Sequence, residues 1–88
     1  MSGGYFEYKQ FYLKDIINDI KEVLENKNTS DFSDDVLDEF EKAILIIQKA
    51  YRYIEVIDML VSGDYSEKEF MEEIRKINNV WNRIKKIL

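Results

Sequence analysis

The chain has 88 residues, is 45% hydrophobic and 35% charged, carries a net charge of −5, and contains no proline, cysteine or histidine. Its size allows one small domain over residues 1–88, its composition suits helices, and the missing residue types exclude disulfides, thiolate or imidazole metal sites and the commonest general base. The acidic balance argues against a general grip on nucleic-acid backbone. No apolar run approaches the ~20 residues of a membrane span, and no signal-peptide or myristoylation pattern is present, so the expected setting is cytoplasmic.

The first stretch, MSGGYFEYKQFY, joins two glycines to five rings: Tyr5, Phe6, Tyr8, Phe11 and Tyr12. Chain ends fray and exposed rings cost solubility, so residues 1–7 are expected to form an ordered arm. Two readings stand side by side. Tyr5, Phe6 and Tyr8 pack over the later helices and hold the arm. Alternatively, Gly3 and Gly4 offer consecutive amides as an anion nest, with the rings as stacking surfaces for a base.

From Tyr8 onward, Leu13, Ile16, Ile17, Ile20, Val23 and Leu24 recur at helical spacing, which predicts a first helix over about 8–26. NKNTSD follows as a polar loop.

Ser33, followed by Asp34 and Asp35, is an N-terminal signal, so a second helix is expected over 34–61. Its stripe Val36, Phe40, Ala43, Ile47, Ala50, Ile54, Ile57, Val61 steps 4, 3, 4, 3, 4, 3, 4, a heptad rhythm. A second stripe, Leu37, Ile44, Tyr51, runs beside it and reaches Asp58 one heptad later. Asp58 should sit at the edge of the core, where it either reaches water or needs a partner: a tyrosine hydroxyl, a lysine, or the N–H groups of the Ser2-Gly3-Gly4 arm. With Leu45 and Ile46 added, the middle of this helix is apolar nearly all round. Ala43, Ile44, Leu45, Ile46 and Ile47 are therefore expected at a homo-oligomer interface.

SGD ends the second helix, with Gly63 suited to a left-handed residue. Ser66 and Glu69 then form an S-x-x-E capping box, flanked by Tyr65 and Phe70, and open a third helix over 67–88. Its stripe is Phe70, Ile74, Ile77, Trp81, Ile84, Leu88. The short connection makes helices 2 and 3 an antiparallel hairpin. That hairpin brings the five bases of 74–88 towards the six acids of 31–41, where each cluster also complements its own helix dipole, a reading favoured over a phosphate-binding basic tail. The fold expected is all-α, a three-helix bundle with an ordered aromatic arm.

Carboxylate pairs such as Asp34/Asp38 and Glu69/Glu73 fall on solvent phases, and no phosphate loop, dinucleotide fingerprint or hydrolase signature occurs. The chain reads as a binder and not as an enzyme, with no cofactor and no metal expected.

MSGGYFEYKQ resembles the start of a group of small phage, prophage and bacterial proteins, which begin MSGG, then an aromatic residue or histidine, then Phe, an acid or amide, and Tyr. YIEVIDMLVSGDYSEKEF resembles the I-D-x-L-x-S-G-D segment of the same group, so the two pieces bracket most of the chain. Met59 departs from the tryptophan often found there. The group carries no established activity, so the resemblance implies provenance in a bacterial host and not a mechanism.

It is similar in character, though not in motif, to phage anti-defence proteins that sequester nucleotide immune signals. The leading expectation is a homo-oligomer binding such a signal through Gly3, Gly4, Tyr5, Phe6 and Tyr8, with Lys49 and Arg52 on the phosphate. The alternative is a helical inhibitor or adaptor that grips a host protein through its apolar or acidic surface, the 31–41 run mimicking nucleic acid. A structural bundle without a ligand is the third possibility.

Overall fold

The structure, a computed structural model, describes residues 4–26 and 32–87. It is all-α, with α1 over Phe11–Glu25, α2 over Asp34–Val61 and α3 over Glu67–Ile87. Ser2, Gly3, the 27–31 part of the polar loop and Leu88 lie outside the described residues. Among the described residues no helix is long and apolar enough to cross a membrane.

Local chemistry sets the ends of α2 and α3. The Ser33 hydroxyl accepts from the Val36 N–H at 3.4 Å, capping α2. At the other end Gly63 takes φ +86°, and the Asp64 N–H reaches back to the Met59 carbonyl at 2.8 Å, closing a Schellman turn. The capping box forms in both directions: the Ser66 N–H donates to Glu69 Oε1 at 3.0 Å, and the Glu69 N–H donates to Ser66 Oγ at 3.2 Å.

The first helix differs from the sequence reading. It begins at Phe11 and not at Tyr8, because Glu7 and Tyr8 have φ of 55° and 61°. Left-handed residues cannot enter a right-handed helix. Residues 4–11 instead descend through successive four-residue turns, Gly4 C=O to Glu7 N–H, Phe6 to Lys9, Tyr8 to Phe11.

α2 packs against α1 on one flank and α3 on the other, and α1 and α3 do not pack against each other. The bundle is thus laid out as one layer, and its Cα trace spans 48 × 30 × 12 Å. Buried apolar residues are few: Ile17, Ile44, Tyr51, Val56 and Ile77. On α2 the buried line is the second stripe, Ile44, Tyr51 and Asp58, joined by Val56. None of the eight residues of the heptad stripe is buried.

Candidate functional site

Asp58 organises the N-terminal half of the molecule. Its carboxylate is 2% exposed and receives four donors. The Gly4 N–H donates to Oδ2 at 3.0 Å and the Tyr5 N–H to Oδ1 at 2.9 Å, while Gln10 Nε2 reaches Oδ2 at 3.3 Å and Ser62 Oγ reaches Oδ1 at 3.0 Å. Burial pushes this carboxyl upward, but the Gly4 and Tyr5 amides, with Ser62 and Gln10, outweigh it and hold the group below its ordinary range. Of the three partners the sequence offered, the arm amides are the ones used. The consecutive amides that meet an anion are those of Gly4 and Tyr5, one residue later than the Gly3–Gly4 pair expected, and the anion they meet is the protein's own.

This latch explains the arm's geometry. Gly4 has φ +100°, and a Cβ there would meet only the Tyr8 ring at ordinary contact distance, so the dihedral and not space selects glycine. The turns that follow set Tyr8 on Phe11, stacked at 5.9 Å, and Phe11 beside Tyr51 at 6.3 Å. Lys14, one turn after Phe11, lies over both rings, 5.4 Å from Phe11 and 4.9 Å from Tyr51. Tyr5 and Phe6 meet edge to face at 5.1 Å, with Tyr5 exposed and Phe6 half-buried.

Three grooves open around α2. The first, about 370 Å³, lies under the arm, with Tyr8, Phe11, Lys14, Tyr51 and Gln10 on its walls. Gln10 is 7% exposed, and its Oε1 is a buried acceptor without a donor among the described residues. The second, about 280 Å³, lies between α2 and α3, with Leu45, Val80 and Trp81 as apolar wall and Lys49 and Lys76 as cations. Lys49 sits 4.9 Å from the Trp81 ring centroid. The third lies between α1 and α2, with Lys14, Ile17 and Lys21.

Arg52 lines all three. Its guanidinium contacts Glu55 at 3.1 Å and Glu73 at 3.6 Å, and Glu73 also holds Lys76 at 2.8 Å. The Lys76 hydrogen bond leads in lowering the Glu73 carboxyl, and the same bond raises the Lys76 ammonium. Together the grooves gather five cations, Lys14, Lys21, Lys49, Arg52 and Lys76, against three carboxylates, one of which is the latched Asp58. A chain of net charge −5 therefore carries a locally basic face. Among the described residues no group of three acids converges as a metal site would require.

The residues singled out from the sequence divide as follows. Arg52 shares the arm groove with Tyr8 and the α2–α3 groove with Lys49, so it links two sets that do not share a groove. Gly4 and Tyr5 spend their amides on Asp58, and Gly3 lies outside the described residues. Of the five expected interface residues, Ile44 is a core residue of the chain itself, in line with Tyr51 and away from any open face. Leu45 lines the α2–α3 groove, Ala43 and Ile47 are half-buried, and Ile46 is 56% exposed.

Gln10, Lys14, Lys76 and Trp81 were not foreseen in this role. The i, i+3 step from Phe11 to Lys14 was a legible cue for a ring–cation pair, whereas nothing local marked Gln10. Compared with known proteins, the chain matches no family model, no curated protein and no solved structure.

Proposed function

We propose that this protein is a non-enzymatic binding protein, a homo-oligomer that sequesters a small anionic, ring-bearing molecule of nucleotide type. The observation that carries the reading is the position of Arg52 where three ring-walled grooves meet. A guanidinium can hold a phosphate through two parallel N–H bonds, and the flanking lysines add charge without fixed geometry. The Arg52 guanidinium is itself exposed, its present partners are the half-buried carboxylates of Glu55 and Glu73, and Glu73 is shared with Lys76, so a phosphate can take the guanidinium while Lys76 keeps Glu73 paired. Lys14 and Lys49 rest on rings, and moving either to a phosphate frees an aromatic face for a base. With neither histidine nor cysteine in the chain, capture without cleavage is the natural outcome. The MSGG resemblance adds the setting, a phage-type protein acting on a nucleotide immune signal of a bacterial host.

Thermal unfolding against a panel of cyclic and linear nucleotides tests this. A true ligand at a hundredfold excess over Kd adds about 2.7 kcal/mol and raises the melting temperature. Arg52→Ala should abolish the rise, and Tyr8→Ala or Trp81→Ala should show which groove holds the base. Deleting residues 2–6 is the poorer test, because it strips Asp58 of two donors and unsettles the fold. A panel that leaves the melting temperature flat at millimolar concentration defeats the proposal.

A second reading, capture of a host protein by the acidic start of α2, draws on one observation: Asp34, Asp35, Asp38 and Glu39 are all exposed. Neutralising the four should weaken such a complex and leave nucleotide binding alone.

A further inference from the structure

The homo-oligomer of the proposed nucleotide-binding protein needs a contact face, and α2 supplies one. A chain of 10.6 kDa folded as a monomer exposes about 5,500 Å², whereas this one exposes 6707 Å². The excess, about 1,200 Å², exceeds the ~800 Å² that each partner of a standard interface covers. The radius of gyration tells the same story, 15.8 Å against the ~12 Å of a compact domain of this length. A single layer of helices cannot close a core, so one face waits for cover.

Which face follows from helical arithmetic. The grooves between α1 and α2 and between α2 and α3 share Gln48 and Arg52, so both open on one side of the layer. At 3.6 residues per turn, the heptad stripe points out of the other side. Val61 is 48% exposed and Ile46 lies beside the stripe, still more exposed. Ile16 on α1 and Met71 on α3, also exposed and turned away from the grooves, widen the apolar face.

We infer that this face is covered by a second copy of the chain, with the two α2 helices crossing antiparallel about a two-fold axis between Gln48 and Lys49. The step pattern 4, 3, 4, 3, 4, 3, 4 reads the same in both directions, so turning the helix end for end restores the seam. The turn pairs Val36 with the copy's Val61, Phe40 with Ile57, Ala43 with Ile54 and Ile47 with Ala50. Each alanine then faces an isoleucine, and small-against-large filling lets the helices approach without voids. A parallel pairing would set Ala43 on Ala43, Ala50 on Ala50 and Phe40 on Phe40, leaving gaps beside a clash. It would also align the two acidic starts, Asp34, Asp35, Asp38 and Glu39, where antiparallel pairing separates them.

This arrangement rests on the self-association in the proposed function but not on its ligand, since the grooves open on the opposite side. Light scattering during gel filtration should return twice 10.6 kDa, and Ile47→Glu should return the single mass while Glu41→Lys keeps the dimer. Circular dichroism shows whether Ile47→Glu is still helical. Because the chain has no cysteine, introduced thiols read the direction directly. Mixed Phe40→Cys and Ile57→Cys chains should form a disulfide heterodimer, and neither variant alone should link, since its thiols lie about 25 Å apart along the axis. Self-linking by each single variant, without the mixed product, overturns the antiparallel crossing. A wild-type chain of single mass at micromolar concentration overturns the dimer itself, and the nucleotide assay then judges the ligand separately.

Discussion

Replacing Asp58 with alanine should release the N-terminal arm and cost about 3–4 kcal/mol. Hydrogen bonds to a charged acceptor contribute roughly 1.5–3 kcal/mol each, so four of them would sum to far more than the loss expected. The sum is an overestimate because the Gly4 and Tyr5 amides are only part-buried and regain water once the arm lifts. What stays behind is the Gln10 amide, the Ser62 hydroxyl and a small cavity, within the range for breaking a buried charged pair. Against ~4–13 kcal/mol of total stability for a chain this long, the change is large.

Urea unfolding followed by the fluorescence of Trp81, the sole tryptophan, reads it at one fixed protein concentration. Ser62→Ala removes one donor and should cost only about 1 kcal/mol. The pH dependence has a definite sign. Asp58 titrates lower in the folded chain than its ordinary 3.8, so in that window the unfolded chain binds more protons. The stabilisation is full above about pH 4–5 and is lost as pH falls through the folded value; Asp58→Asn should remove that dependence. An Asp58→Ala protein within about 0.5 kcal/mol of wild type would refute the latch.

Other substitutions test the helix ends and the basic face. Gly63→Ala meets no atom within 4 Å but must keep φ +86°, so it should cost about 1 kcal/mol by strain alone, read as a lowered urea midpoint. Ser66→Ala and Glu69→Ala should each cost about 1 kcal/mol, and the double variant less than their sum, because each bond of the capping box positions the other. The proposed nucleotide binding at Arg52 should weaken as salt rises, measured by titration calorimetry at two ionic strengths; a salt-independent affinity would mean that neither Arg52 nor the lysines hold a phosphate.

The elements legible in the sequence were those written in local chemistry. Ser33, Gly63 and the Ser66–Glu69 pair gave the bounds of α2 and the start of α3 to the residue, because caps and a left-handed glycine act within one turn. The start of α1 was not legible. Glu7 and Tyr8 are left-handed because the arm must bend to reach a carboxylate fifty-odd residues away, and no local propensity encodes that demand. The same distant contact decides which side of α2 is covered. Asp58 continues the second stripe, so the arm and α1 cover that side, and the more regular heptad stripe is left half-buried, with Val36, Ala50 and Val61 exposed. Arg52 was legible as a cation on a rich helix, but its place at the meeting of three grooves depends on where both neighbouring helices dock.

Since α1 and α3 never touch, α2 acts as a spine with two leaves hinged on it separately. Loosening one leaf leaves the other's contacts whole, so the amide protons of α1 can exchange with solvent while those of α3 remain protected. A cargo wedged against the spine would then tighten both leaves at once, and uptake would register across the whole chain.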